Sequence, residues 1–268
     1  MTEDRPAESE PRILTERRGH VFLIGFNRPE KRNAADFGML QELSLAYGEL
    51  ERDPELRVGL VYAVGDHFTG GLDLADVAPR IGRDGIEMVP AGGINPWQVD
   101  GTRLSKPVVI AVQGTCLTLG IELILASDVA VAAASTRFGQ VEVTRGILPF
   151  GGATLRFPRA VGWGNAMRWM LTGELFDTTE AHRIGLVQEV VADGDQFDTA
   201  LAIAERIAAQ APLAVQAALV NAKRAVRDGD AEAEAELQPT LVRLASSEDA
   251  AIGMRAFLTR SAPDFVGR

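Results

Sequence analysis

The chain has 268 residues, 46% of them hydrophobic and 24% charged, the composition of an ordinary globular protein with room for one substantial core. Its net charge of -10, with no basic cluster, argues against nucleic acid or anionic membrane surfaces as partners. The single cysteine, Cys116, excludes an intramolecular disulfide and a cysteine-rich zinc site, and His20, His67 and His182 are scattered without ligand spacing.

Residues 1–11 are acidic, lack the apolar segment of a signal peptide and are expected to be disordered. No apolar run reaches membrane-span length, so the expected location is cytoplasmic. Ile13 to Arg18 and His20 to Phe26, separated by Gly19, predict a hairpin. Asn27 to Ala35 is polar and reads as a turn, with Lys31 and Arg32 either solvated or available to a phosphate. Apolar residues at Phe37, Leu40, Leu43, Ala46, Tyr47 and Leu50 predict a helix over residues 36–51 with Asp36 as N-cap. Val58 to Val64 predicts a buried strand, giving the βα order of an α/β core.

Phe68-Thr69-Gly70-Gly71-Leu72-Asp73-Leu74 follows, a glycine turn that lets backbone N–H groups approach a ligand. Residues 80–103, interrupted by Gly82, Gly85, Pro90, Gly92, Gly93 and Pro96, are expected to form short helical pieces and mobile loops. Met88 and Trp97 are placed in the core first, and in an acyl pocket second.

Val108 to Val112 is a β-branched run closed at Gly114, and the apolar residues after it predict a short helix carrying Glu122 in its first turn. Twenty residues later Glu142 sits in a turn-rich apolar setting. Desolvation and mutual repulsion can split two such carboxylates into a general acid and a general base. On composition alone, however, the pair fits a capped helix start and a solvated loop better. Two helices broken at Gly162 follow, then His182, expected to cap or pack on its helix. Helices are expected over 197–210, 214–227, 231–246 and 248–259.

The strings Val112-Gln113-Gly114, Gly120-Ile121-Glu122-Leu123, Ala126-Ser127-Asp128 and Phe138-Gly139-Gln140-Val141-Glu142, with Gly146-Ile147-Leu148-Pro149, resemble the central signature of the crotonase (enoyl-CoA hydratase/isomerase) family. The resemblance extends from about Ile13 to Phe265. It implies an α/β fold, a crotonase-type spiral of repeated ββα units over residues 12–195, with a helical trimerisation region over 196–268. It implies Glu122 and Glu142 as the catalytic pair of a hydratase. The N–H groups of Gly70 and Leu119 would form the oxyanion hole for a thioester, and coenzyme A would enter only as part of the substrate, with no metal or other cofactor. Through the same resemblance Lys31, Arg32, Ala34, Gly70, Gly71, Leu72, Asp73 and Leu74 are expected near the acyl-CoA. Phe257 and Arg260 are expected to reach a neighbouring subunit's ligand in a homotrimer or a dimer of trimers.

The chain departs from the family pattern where Thr118-Leu119-Gly120 replaces three glycines, Val141 replaces a proline and Phe150 replaces a glycine. Phe150 also stands where dienoyl-CoA isomerases carry a third carboxylate. Two alternatives therefore stand beside the hydratase: a double-bond isomerase of the same fold, and a weakly catalytic acyl-CoA-binding paralogue.

Overall fold

The computed structural model describes residues 10–81 and 85–268. Most of the tail expected to be disordered, and Gly82, lie outside the described residues.

Strands β1 (Ile13–Arg18) and β2 (Val21–Phe26) form the expected hairpin, Ile13 opposite Phe26 and Arg18 opposite Val21, with Gly19 turning at φ 60°. Helix α1 (Phe37–Arg52) starts where the Asp36 side chain accepts the Met39 N–H, the N-cap bond that satisfies an orphan donor of the first turn. Its Leu40, Leu43, Tyr47 and Leu50 are buried. Next come β3 (Val58–Ala63), the one-turn α2 (Leu74–Val77) and β4 (Val108–Val112). The middle of the chain holds β5 (Thr115–Leu117), α3 (Leu119–Ala126), β6 (Val129–Ala133), β7 (Arg137–Gly139), α4 (Ala153–Val161) and α5 (Trp163–Thr172). The last third holds β8 (Leu175–Asp177), α6 (Thr178–Arg183), β9 (Glu189–Val191), α7 (Gln196–Ala208), α8 (Pro212–Asp228), α9 (Asp230–Ala235), α10 (Leu237–Ala245) and α11 (Glu248–Thr259).

The strands form a six-stranded sheet in the order β1-β2-β3-β4-β6-β9, parallel except at β1, and a three-stranded sheet β5-β7-β8. The chain visits the large sheet with β4, the small one with β5, and then makes α3. It repeats the circuit with β6, β7 and the helical turn at Glu142. In register, Val109 pairs with Val129 and Thr115 with Arg137, so each circuit takes about twenty residues. Glu122 and Glu142 therefore occupy matching places on successive turns of a spiral.

The inner strands of the large sheet, β2, β3, β4 and β6, are buried on both faces. Val21, Leu23, Val58, Leu60, Val109 and Val131 pack on Ala200, Ile203 and Ala204 of α7, while Phe22, Ile24, Val61, Ile110 and Val112 face the larger core with α1 and α3. Two-sided burial is why these strands read as unbroken apolar runs.

Two expectations are corrected. Residues 231–246 are two helices, α9 and α10, meeting at Glu236. Pro239 removes the bond its N–H would make to the Ala235 carbonyl and crowds that oxygen, which favours a break at this place. The described residues 85–103 contain no helix. Side chains substitute for helical bonds there: Asn95 Oδ1 accepts the Trp97 N–H at 2.9 Å and Gln98 Oε1 accepts the Leu104 N–H at 2.7 Å. No helix among the described residues is long and apolar enough to cross a membrane.

Candidate active site

Glu122 is carried on the first turn of α3, whose Ile121, Leu123 and Ile124 anchor it in the core. Its side chain is turned inward, the residue is 3% exposed, and Oε1 accepts the Ala153 N–H at 3.0 Å. Glu142 is 6% exposed, not a solvated loop residue, and its Oε1 accepts Gln140 Nε2 at 2.7 Å. Its Oε2 is buried without a partner among the described residues. Both carboxylates line one cavity of about 480 Å³, whose walls include Leu40, Leu72, Met88, Trp97, Leu119 and Phe150.

Burial pushes both carboxyl groups above their ordinary values, since desolvation penalises the charged form. The two then diverge. The N–H groups of Ala153, Gly151 and Gly152 and the positive charge of Arg156 oppose the rise at Glu122. At Glu142 the charge of Glu122 adds to the rise, and its pKa is raised to about 7. Gly151 belongs to this arrangement for a steric reason: a Cβ there would stand 2.5 Å from Glu122 Oε2 and 3.0 Å from Trp97 Cδ1.

The backbone donors differ from expectation at one arm. Leu119 is the first residue of α3, and its N–H has no acceptor four residues back and no partner among the described residues. Gly70 is otherwise engaged: its N–H donates to the Arg32 carbonyl at 2.8 Å. The Gly71 N–H donates to Thr69 Oγ1 at 3.1 Å and the Asp73 N–H to the Ala35 carbonyl at 2.9 Å. Leu72 is left with an N–H that has no partner among the described residues, and Leu72 lines the cavity. The parallel bridge between Ala35 and Leu72 explains the change, because it uses the amide flanking Leu72 on one side and turns that of Leu72 the other way. The Gly70 N–H expected to serve a ligand is therefore committed to Arg32, and the free amide of this turn among the described residues is that of Leu72.

The loop at residues 27–35 is pinned by Asn33, fully buried, whose Nδ2 donates to the Val64 and His67 carbonyls and whose Oδ1 accepts the Arg28 N–H. Arg28 bridges the Ala34 carbonyl and Asp73 Oδ2, at 2.8 and 2.9 Å. Asp73 is thus a partner of Arg28 and, like Gly71, which packs against Thr118, is not among the residues lining the cavity. Lys31 and Arg32 are exposed and make no ion pair among the described residues. Leu72 and Leu74 do line the cavity.

Phe257 and Arg260 line a separate surface groove with Gln210 and Phe265, away from the cavity of the same chain. Leu119 is 5% exposed, its side chain stowed in the core, whereas Phe150 is 41% exposed at the cavity. Trp97 belongs to both settings once separated: it is 3% exposed, lines the cavity, and donates from Nε1 to the Leu119 carbonyl at 3.0 Å. His182 is exposed on the last turn of α6, where its carbonyl accepts the Gly185 N–H. Cys116 is fully buried, and burial pushes its thiol far up, so it is a core residue. Among the described residues no three His, Cys, Asp or Glu side chains gather as a metal ion would require.

Gln140 and Thr118 stand in the strings quoted above with no role assigned, and Gly151 is not among them. For Gln140 a signal was present, a polar side chain two residues before Glu142; for the other two only the packing reveals the role.

The profile of the enoyl-CoA hydratase/isomerase family matches residues 16–268. The chain is 34% identical to enoyl-CoA hydratase EchA19 of Mycobacterium tuberculosis over 97% of this chain and 98% of that protein. It is also 34% identical to 2,3-dehydroadipyl-CoA hydratase of Escherichia coli, over 96% and 99%. Among crystal structures it matches a probable enoyl-CoA hydratase/isomerase from Mycobacterium abscessus with TM-score 0.93 and 58% identity, covering 96% of this chain and 99% of that one. It matches an enoyl-CoA hydratase from Mycobacterium tuberculosis with TM-score 0.87 and 33% identity, covering 97% and 100%.

Proposed function

Because the chain belongs to the enoyl-CoA hydratase/isomerase family, an enzyme family with the crotonase fold, we propose that it adds water across the double bond of a 2-enoyl-CoA. The observation that carries this reading is the pair of inward-turned carboxylates, Glu122 and Glu142, in one cavity with the uncommitted N–H groups of Leu72 and Leu119.

In this reading the two N–H groups hold the thioester oxygen, where negative charge grows as the reaction proceeds. Glu122, whose rise through burial is opposed by three backbone amides and Arg156, takes a proton from water as the oxygen bonds to C3. The electron pair of the double bond moves toward the thioester, and C2 takes a proton from Glu142, whose carboxyl burial and the charge of Glu122 push up to about 7. Passing a proton from Glu122 back to Glu142 restores the pair. No step calls for a metal or redox cofactor, and coenzyme A serves as the handle, met by Lys31 and Arg32.

The same reading takes the chain as self-associating through its C-terminal helices, where Val242, Phe257 and Leu258 are 69%, 80% and 73% exposed. Light scattering on the purified protein reads the oligomeric state directly.

Loss of the enoyl-thioester absorbance with crotonyl-CoA and longer enoyl-CoAs tests the activity, and Glu122→Gln and Glu142→Gln are each expected to lower kcat by about 10³-fold or more. Retention of most activity by Glu122→Ala, with migration of the double bond, would instead identify a one-glutamate isomerase. Binding without turnover at every chain length would identify an acyl-CoA-binding paralogue.

A further inference from the structure

Arg156, in the first turn of α4, directs its guanidinium at two main-chain oxygens: Nη2 donates to the Gln98 carbonyl at 2.9 Å and Nη1 to the Gly151 carbonyl at 3.5 Å. It is half-buried and stands outside the lining of the cavity. Neutral carbonyls orient a cation without cancelling its charge. Burial pulls the guanidinium below its ordinary value, Arg103 and Arg159 pull it the same way, and Glu122 is the acid that opposes them. The influence is mutual, since the charge of Arg156 opposes the rise at Glu122.

Two successive glycines bring the pair onto one turn. Gly151 faces the carboxylate, where a Cβ would stand 2.5 Å from Glu122 Oε2. Gly152, at φ 105°, faces the guanidinium, where a Cβ would collide with Arg156 Nη1 and stand 2.9 Å from Val99 Cγ1. A short turn of bare backbone thus packs on the carboxylate at one residue and on the guanidinium at the next. In a buried setting of this kind a charge acts over several ångströms that water would screen.

The guanidinium is fixed from its far side by the loop that carries Trp97. Gln98 is 8% exposed and holds φ 54°, a region that non-glycine residues seldom adopt. Its side chain bridges the loop, Nε2 donating to the Asn95 carbonyl and Oε1 accepting the Leu104 N–H, both at 2.7 Å. The Gln98 carbonyl that receives Arg156 is therefore held at a backbone conformation the loop itself maintains.

We propose that Arg156 is a positioning residue for Glu122: anchored on the Gln98 and Gly151 carbonyls, it holds the Gly151–Gly152 turn against the carboxylate and supplies the positive charge that keeps Glu122 a base. The inference rests on the hydratase reading, in which Glu122 takes the proton from water. Off the cavity lining, Arg156 acts through Glu122 and not on the substrate.

Among the described residues the charges around Glu122 are Arg156 from α4, Glu142 from the turn after β7, and Asp100 and Arg145 on the same cavity wall; Arg103 and Arg159 face Arg156. In a pH profile of kcat/KM the acid limb belongs to the base, Glu122, and the alkaline limb to the acid, Glu142. Removing a positive charge raises the proton affinity of Glu122, so the acid limb moves to higher pH.

The test records kcat/KM for crotonyl-CoA and decenoyl-CoA against pH in the parent, in Arg156→Lys, which keeps the charge, and in Arg156→Met, which removes it. Arg156→Met is expected to move the acid limb up by about one pH unit and to lower kcat about tenfold with little change in KM, whereas Arg156→Lys is expected to hold the limb within about 0.3 unit of the parent. Should Arg156→Met not fold, Arg156→Gln, neutral and still able to donate to the Gln98 carbonyl, takes its place. A residue serving structure alone would lower the rate and leave the limb where it stands. An unmoved limb in the neutral variant therefore overturns the inference, as does an Arg156→Lys enzyme whose limb moves as far as that of the neutral variant. Infrared titration of the Glu122 carboxyl, identified by its loss in Glu122→Gln, reads the same effect without turnover, and its midpoint is expected to rise in the neutral variant. If the parent hydrates no enoyl-CoA, it is the hydratase reading that fails, and the infrared titration still decides whether Arg156 holds Glu122 ionised.

Discussion

Gly151 lies so close to Glu122 that a Cβ on it would stand 2.5 Å from the carboxylate oxygen Oε2. The glycine precedes α4, whose first N–H, that of Ala153, binds the other oxygen at 3.0 Å. Bare backbone thus presses on the carboxylate from one side while a backbone donor grips it from the other. Gly151→Ala is expected to displace Glu122 by a fraction of an ångström to an ångström, and to cost about 100-fold in kcat while KM changes little. Steady-state kinetics on the purified variant checks this; full activity would mean that the position of Glu122 is not held from Gly151.

Glu142 links catalysis to stability through pH. Its folded pKa, about 7, lies above the ordinary 4.5, so the folded state prefers the protonated form. The stability it contributes is complete below about pH 4.5 and is lost as pH rises through 7. Glu142→Gln cannot ionise, so at about pH 9 it is expected to be more stable than the parent by roughly 2–3 kcal/mol, with the difference vanishing near pH 4. The parent's kcat is expected to fall as pH rises through 7, because the acid that serves C2 is then ionised. Urea melts at several pH values and a kcat profile read the two effects; equal pH dependence of stability in parent and variant would remove Glu142 from this role.

How far the sequence carried the argument depends on the range of the interactions involved. The Asp36 cap and the 3.6-residue spacing of α1 are local, and both were legible. So was the interval between Glu122 and Glu142, although its cause, one circuit of the spiral, was not, because β5, β7, β8 and β9 span only three residues each and carry no periodicity of their own. The choice between Gly70 and Leu72 as donor was illegible for a different reason. Which amide in a glycine turn is left over depends on the pairing of that turn with Arg32 and Ala35, some forty residues earlier in the chain. Pro239 punctuates the last helices in the sequence, but the break itself falls three residues earlier, at Glu236, while the irregular course of residues 85–103 rests on Asn95 and Gln98, whose partners no local pattern announces.

Asn33 is the peg of the ligand-side loop. It is fully buried, at φ 53°, and makes three hydrogen bonds, to the Val64 and His67 carbonyls and from the Arg28 N–H. Asparagine tolerates that backbone region better than most residues. Asn33→Ala leaves two carbonyls and one amide without the side chain that served them, and is expected to cost about 3 kcal/mol. In a chain of this size that corresponds to roughly 6–12 °C in Tm. Thermal unfolding measures it, and a loss below about 1 kcal/mol would show that the loop is held by other means.

Lys31 and Arg32 stand on the same loop with exposed side chains and no ion pair among the described residues, in a chain whose net charge is -10. An anionic ligand approaching this protein meets an unfavourable mean field, so local cations decide its affinity. The Arg32 carbonyl also accepts the Gly70 N–H, which ties this loop to the one carrying Leu72 while leaving the guanidinium free to meet a phosphate. Replacing both cations by alanine is therefore expected to raise KM for an acyl-CoA about tenfold at low ionic strength, with kcat within about twofold of the parent, because neither side chain reaches the reacting carbons. Salt should erase much of the difference, since charges this exposed are screened within about 10 Å at 0.1 M ionic strength. Kinetics at low and high salt reads both effects at once, and a KM that does not move in the double variant would assign the phosphates of the ligand to other cations.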